Sequence, residues 1–363
     1  MLIFTPQKYF PQCHASTLAQ LKDGRIFAAW FAGTRESYPD TAIWISHLLP
    51  DQKIWSEPFV VAKICDTADY DPVLDTEVHH GIAHWNPVLF PFKDKMYLFF
   101  KVGNTIENWI TYYIVFEDEK WSKPKVLIET NALDEKCNRG PVRSKPIVLS
   151  NGYWLAPSSV ERTINPSTMF NRGDVIWKAF VDISKNEGKT WNKSSLIDFN
   201  RKKYGSEQNL ISSGNLNKKY GGVIQPTLWE STPGNVHMLL RSTAGFIFRS
   251  DSTDYGKTWC NAYPTELPNN NSGIDVTSVN GYLFLVFNPV TGNWAARTPL
   301  SLTLSKDNGK TWGKPLNIQE GPGSFSYPSI ITLNDNNVGI TYSWNRVSIS
   351  FVKIILKDKN NIV

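Results

Sequence analysis

Polar side chains able to hold or transform an anion recur in this chain at one kind of place. They stand where an apolar hairpin opens its first strand, or just past the end of its second. In chain order they are His14, then Arg35, Glu36 and Asp40; Trp85 and Asn86; Arg143 and Lys145, then Ser158, Ser159 and Glu161; Gln225, then Arg241; Asn271 and Asp275, with Arg297 ahead of the next strand; and Tyr327, then Trp344 and Arg346. Guanidinium groups hold a carboxylate two-pronged, so Arg241 and Arg297, completed by Arg143 or Lys145, form a grip for an acid. Tyrosine, histidine and carboxylate side chains transfer protons, and tyrosine can attack as a nucleophile. His79, His80 and His84 do not follow a recognised ligand spacing, and no carboxylate is fixed beside them. Neither a metal nor a cofactor is expected.

The elements that must bring these residues together repeat. The copies of the hairpin start at Cys13, His84, Val142, Val223, Asn271 and Phe325, each an apolar strand, a polar turn and a second apolar strand. A third strand follows each: TAIWISH, WITYYIVF, VIWKAFVDIS, GFIFRSDS, PLSLTLS and ISFVKIIL. The phrases SKNEGKTW, STDYGKTW and SKDNGKTW end at Trp191, Trp259 and Trp312, and shorter relatives, WSEP and WSKP, begin at Trp55 and Trp121. Short apolar runs punctuated by Gly, Pro, Asn and Asp predict antiparallel strands. Six copies of a small sheet predict an all-β, six-bladed β-propeller over residues 1–363 as one domain, the N-terminal LIFTP supplying an outer strand of the last copy. In such a ring the first strands converge on one mouth of a central channel. The SxDxGxTW phrase reads as a staple between outer strands, its Asp and hydroxyls satisfying the turn and its Trp plugging between sheets. One carboxylate per turn is too few oxygens for calcium.

The 363 residues are 41% hydrophobic, 13% aromatic and 20% charged, enough apolar material for a large core. A net charge of +5 without a long basic run points away from nucleic acid and leaves room for an acidic small substrate in a basic pocket. The four cysteines are far apart and predict free thiols. With no apolar run of membrane length and no signal-peptide layout in MLIFTPQKYFPQCHAS, no membrane partner and a cytoplasmic location are expected.

The repeated phrases resemble the Asp-box (BNR) repeats of the sialidase superfamily, and the resemblance covers essentially the whole chain. FAGTRESYPDTAIWIS, HWNPVLF and FSYPSI are most similar to the bacterial proteins named as predicted neuraminidases. The resemblance implies a Tyr nucleophile at Tyr327, two arginines of a carboxylate-binding triad at Arg241 and Arg297, an additional arginine at Arg35 and an acid/base near Asp40. It departs at two places. His14 stands where the family has its first triad arginine, and Gln225 stands where it has the Glu that tunes the Tyr. Glu230 lies too far along its strand to substitute.

What remains favours an acidic sugar, with Trp85 stacking on its face. Asp40 or Glu36 would be the acid, and Tyr327 a nucleophile whose phenol avoids bringing a carboxylate up to an anionic substrate. The expected function is exo-hydrolysis of a terminal acidic sugar, a sialic acid or a related keto-acid or uronic sugar, from a glycan. A His14–Tyr327 pair would equally suit a polysaccharide lyase that removes a proton beside a carboxylate. A third alternative is a glycan-binding propeller without catalysis. Bland roles stand beside the sharp ones: Arg35 and Asp40 as a mutual ion pair, His14 as a structural histidine, Asn86 as a strand cap, Trp344 as a channel plug and Glu161 as a partner for Arg143.

Overall fold

The computed structural model describes residues 1–71, 76–163, 174–204, 219–357 and 361–362. The fold is all-β, built from antiparallel meanders. The first sheet orders Gln12–Gln20, Ile26–Gly33, Ala42–Leu48 and Phe59–Ala62 side by side. The second orders His84–Phe92, Lys95–Val102 and Ile110–Glu117, edged by the short strands Lys120–Trp121 and Lys125–Val126. The third and fourth meanders, led by Trp154–Thr163 with Asp174–Ser184 and by Lys219–Thr232 with Asn235–Ser242 and Phe246–Ser252, join into one eight-stranded sheet. The join is a parallel pairing of Asp174–Trp177 with Lys219–Gly222. Asp275–Val279, Tyr282–Phe287, Leu300–Ser305 and Leu316–Gln319 form the next sheet, and Phe325–Thr332, Val338–Trp344 and Ser348–Ile354 the last.

All six predicted hairpins are present, each with its predicted third strand. The third differs in detail: its first strand is only Ile147–Val148, because Arg143 to Pro146 run irregularly before it. Two single-turn helices, Leu133–Lys136 and Arg201–Tyr204, were not foreseen. Among the described residues, no helix is long and apolar enough to cross a membrane. Cys13, Cys137 and Cys260 are free.

Burial of apolar faces between neighbouring meanders supplies the cohesion. Phe31, Leu89, Leu98 and Phe100 join the first sheet to the second, and Val88, Phe90, Trp154 and Trp191 join the second to the third meander. Leu155, Val181, Met238 and Phe248 fill the space between the third and fourth. Trp229, Leu239, Ile274 and Leu285 carry the packing on to the fifth. Val286, Leu302, Ile330 and Ile340 connect it to the last sheet. Trp30, Ile331 and Ile349 bring the last sheet back against the first. The N-terminal residues lie along this join: Ile3 N–H donates to Ile349 C=O and Phe351 N–H to Met1 C=O, both at 2.8 Å. Phe4 stacks on Trp30 at 5.0 Å between ring centroids. The pairing is a single antiparallel bridge, Leu2 with Ser350, short of a full strand.

The recurring phrase closes on itself. Asp254 accepts from the N–H groups of Lys257 and Thr258 and from the Thr258 hydroxyl, while Ser252 Oγ accepts from Gly256 N–H. Asp307 and Ser305 repeat the arrangement. With its carboxylate engaged in its own turn, the loop also reaches its neighbour. Asn308 Oδ1 accepts from Trp229 Nε1 at 2.6 Å and its Nδ2 donates to His237 Nε2 at 3.1 Å. His237 Nδ1 in turn lies 2.5 Å from Asp251. Asn308→Ala would strand Trp229 Nε1, while His237 Nε2 keeps Ser231 Oγ at 2.8 Å, and the expected loss is about 1–3 kcal/mol in urea unfolding.

A second buried tie joins the second and third meanders. Lys101, with no exposed surface, donates to Thr111 Oγ1 and Arg139 C=O, each at 2.6 Å, beside the Arg139–Asp182 ion pair. Burial pulls its ammonium down to about 7, against an upward pull from Asp182 and with a further push down from Arg139. An unfolded chain keeps this lysine protonated to about pH 10, so between about pH 7 and pH 10 the unfolded state binds more protons and stability rises with pH. Below that window both states are protonated and the contribution to the slope vanishes. Urea unfolding across the window should show the wild type gaining on Lys101→Met with rising pH, by at most about 1.4 kcal/mol per pH unit.

Candidate active site

The site begins with a defect in the first strands of four hairpins. The hairpin registers jump between His14 and Thr17, Trp85 and Val88, Ile224 and Thr227, and Ser326 and Ser329. In each jump one residue takes a left-handed backbone: Ala15 (φ 55°), Asn86 (φ 37°), Gln225 (φ 52°) and Tyr327 (φ 54°). A bulge leaves residues out of the ladder and re-aims a side chain, and a non-glycine residue held left-handed costs roughly 1–3 kcal/mol. The sequence softens the defect. Pro87, Pro226 and Pro328 follow three of the four residues, and proline has no N–H to be orphaned where the ladder breaks. Asn86, Gln225 and Tyr327 are thereby turned onto one cavity of about 170 Å³.

Trp85, Trp109, Trp177 and Trp294 give this cavity aromatic walls, and Arg241, Arg297, Arg346, Glu36 and Glu161 give it charge. Arg241, at the end of its strand, is 2% exposed. Its Nη1 donates to the Tyr327 hydroxyl at 2.8 Å and to Gln225 Oε1 at 3.1 Å, and its Nε donates to Asn271 Oδ1 at 2.6 Å. The guanidinium lies 5.3 Å from the Trp177 ring centroid and 5.4 Å from that of Trp294, within cation–π range. Arg297 stands 5.5 Å from the Tyr327 ring centroid, and its Nη1 donates to Ser326 Oγ at 3.3 Å. Neither has a carboxylate at ion-pair distance among the described residues. Arg346 Nη1 does, donating to Glu36 Oε2 at 2.6 Å. Burial would raise the Tyr327 phenol, but Arg241 and Arg297 beside it, with a contribution from Gln225, hold it below its ordinary value.

His14 stands behind this tyrosine, not in the cavity. Its ring centroid is 4.2 Å from that of Tyr327, Nδ1 lies 2.8 Å from Ser343 Oγ, and Nε2 has no partner among the described residues. Burial, then Arg346, Arg297, Arg143 and Arg241, push its pKa well below the usual value, so the imidazole is neutral. A neutral ring does not replace the charge of an arginine.

Other residues singled out from the sequence go elsewhere. Arg143 is buried against the Tyr327 ring at 5.3 Å, but its guanidinium donates to the carbonyls of Ile274 and Pro328. Lys145 is paired with Asp275 at 2.9 Å, and Asp275 also accepts from Thr227 Oγ1 and Ile330 N–H. These three side chains tie meanders together beneath the cavity and do not line it. Arg35 and Asp40 are exposed and form no ion pair with each other. Arg35 lies 4.2 Å from the Tyr38 ring centroid, and Asp40 accepts from Thr34 N–H at 2.8 Å. From the same turn it is Glu36 that lines the cavity. Asn86 both lines it and donates to Val142 C=O at 3.0 Å. Glu161 accepts from Trp177 Nε1 at 3.0 Å. Trp344 packs in the core of the last sheet. The side chains of His79 and His80 lie outside the described residues, and both ring nitrogens of His84 contact backbone groups.

Trp109, Trp177 and Trp294 were not foreseen as cavity walls. Trp177 sits in a third strand, where alternation reads as sheet packing, and Trp294 in a loop without a repeat. Only the richness in Trp, 14 residues, was a signal.

The phenol offers a direct check. The absorbance difference between wild type and Tyr327→Phe should titrate below the ordinary tyrosine range, about pH 10, and Arg241→Gln should move that titration upward.

In fold the chain is similar to solved sialidase structures. The NanB sialidase of Streptococcus pneumoniae aligns with a TM-score of 0.69 at 14% identity, over 97% of this chain and 70% of that one. The Trypanosoma rangeli sialidase aligns with a TM-score of 0.65 at 16% identity, over 95% of this chain and 55% of that one. A protein of unknown function from Dyadobacter fermentans aligns with a TM-score of 0.70 at 14% identity, over 98% of both chains. The description "BNR repeat-like domain" matches residues 24–340, and with a match over most of its length the chain belongs to this family of BNR repeat-like proteins.

Proposed function

We propose that this protein is a six-bladed propeller that hydrolyses a terminal acidic sugar from a glycan. Packing passes from each meander to the next and back to the first, which supports the ring. The observation that carries the function is the pair Arg241 and Arg297. Both converge on the Tyr327 phenol in one cavity, without a carboxylate partner among the described residues. Desolvated cations call for an anion, and a sugar carboxylate is one that a guanidinium pair binds two-pronged. Tyr327 attacks the anomeric carbon, the glycosidic oxygen leaves with a proton, and water then releases the sugar from the tyrosine. Tryptophans on the walls receive the sugar faces. Likeness of fold to sialidases raises a sialic acid above other acidic sugars as the first substrate to test, by analogy alone.

One feature favours a binding propeller without turnover: Gln225, not a carboxylate, is the neutral partner beside Arg241 and the phenol. The lyase reading loses ground, since its base, His14, is buried behind the tyrosine ring. An aryl α-sialoside assay separates the three. Hydrolysis by the wild type and its loss by at least about a hundredfold in Tyr327→Phe is the expected result. Sugar binding with no turnover would make the protein a lectin. An unsaturated product from uronate polymers would make it a lyase.

A further inference from the structure

Three cationic heads line the cavity, and one of them already holds an anion. Arg346 reaches in from the turn between Val338–Trp344 and Ser348–Ile354, and its anion, Glu36, comes from the turn Thr34–Asp40 of the first sheet. The two ends of this pair are held differently. The arginine's backbone is fixed: Arg346 C=O accepts from Cys13 N–H at 2.7 Å, and the neighbouring Asn345 is bonded to Ser324 through both its N–H and its Oδ1. The turn that carries Glu36 is exposed from Ser37 to Asp40 and is closed mainly on itself, by Asp40 on Thr34 N–H and by Tyr38 N–H on Arg35 C=O. Both side chains are about one-third exposed, at 32% and 33%. A partly solvated pair of this kind is worth little, about 0–1 kcal/mol, so exchanging its carboxylate for another costs little.

We infer that Glu36 is a resident carboxylate that a substrate carboxylate displaces, so that Arg346 becomes the third arm of the clamp and Glu36 becomes the proton carrier of the reaction. This rests on the reading of the cavity as an acidic-sugar site. The freed Glu36 carboxylate takes the Tyr327 phenol proton. The phenolate then attacks the anomeric carbon, the bond to the leaving oxygen breaks with its electron pair, and Glu36 returns the same proton to that oxygen. In the second half, Glu36 accepts a proton from the attacking water, the bond from the tyrosine oxygen to the anomeric carbon breaks, and the proton goes back to the phenolate. No further reactant is needed. The same carboxylate supplies the acid that Asp40, turned onto Thr34 N–H, does not bring to the cavity, and the base that Gln225 does not provide beside the tyrosine.

Calorimetric binding of free N-acetylneuraminic acid and of its neutral methyl ester tests the exchange, with kcat and KM on the aryl sialoside. Glu36→Gln should bind the acid up to about fivefold tighter while kcat falls about a hundredfold or more. Glu36→Asp should stay near wild type in affinity. Arg346→Met should weaken the acid about tenfold. The methyl ester should respond to none of these changes. Acid binding that is unchanged or weaker in Glu36→Gln, while Arg241→Met abolishes it, overturns the exchange and leaves the carboxylate site standing. An unchanged kcat in Glu36→Gln overturns the proton-carrier role. If the wild type and Arg241→Met bind the acid equally weakly, the underlying reading fails and the inference with it.

Discussion

Three guanidinium groups surround one phenol ring. Arg143, Arg241 and Arg297 stand 5.3, 5.9 and 5.5 Å from the Tyr327 ring centroid. Burying so much positive charge at one end of a protein is costly unless each head is hydrogen-bonded. The structure answers each head differently. Arg143, which does not line the cavity, is given backbone carbonyls from two other meanders. Arg241 is given neutral amides and the phenol, and Arg297 a hydroxyl. None of these partners cancels the charge, so the cavity stays electropositive, and the phenol and neutral imidazole beside it take the protonation behaviour that such a field imposes.

That field is sustained by an unusual use of β-structure. An undisturbed ladder alternates its side chains between the two faces of a sheet. In the first strands of four hairpins the ladder is broken at matching points, and at three of the breaks the residue, Asn86, Gln225 or Tyr327, faces the cavity. The strain is compensated by the ties beneath: Asp275 gathers donors from three other meanders, and Asn86 reaches across to Val142 C=O. A cavity built this way is rigid because its floor is also the joint between meanders. Replacing a floor residue therefore tests the fold as much as the chemistry.

Much of this was legible in the sequence. Alternating apolar strands, polar turns and recurring Trp phrases set the register of the hairpins, because burial of one face constrains every second residue. The register also pointed to the right strand ends, which is how Tyr327, Arg241, Arg297, Gln225 and Asn86 were found together. It could not separate a polar residue that faces the cavity from one that binds its neighbour. Arg143, Lys145 and Asp275 have the composition of an anion site, and only their partners in space reveal them as ties. In the turn after the first hairpin, Arg35, Glu36 and Asp40 are close in sequence, but loop conformation decides which of them faces in. It selects Glu36, the residue with no strand periodicity to recommend it.

Gln225 then takes on a physical meaning. A carboxylate at that position would lie against Arg241, at the 3.1 Å now spanned by a neutral amide. An ion pair there would cancel much of the charge that lowers the phenol, and an incoming carboxylate would have to compete with it in the most desolvated part of the cavity, where such pairs are hardest to break. With glutamine the deep arginine stays uncompensated, and the carboxylate is held at the rim on Arg346, where solvent makes exchange easy. In the proposed reaction, an acid at the rim leaves the floor positive for the substrate and keeps a proton acceptor within the same walls.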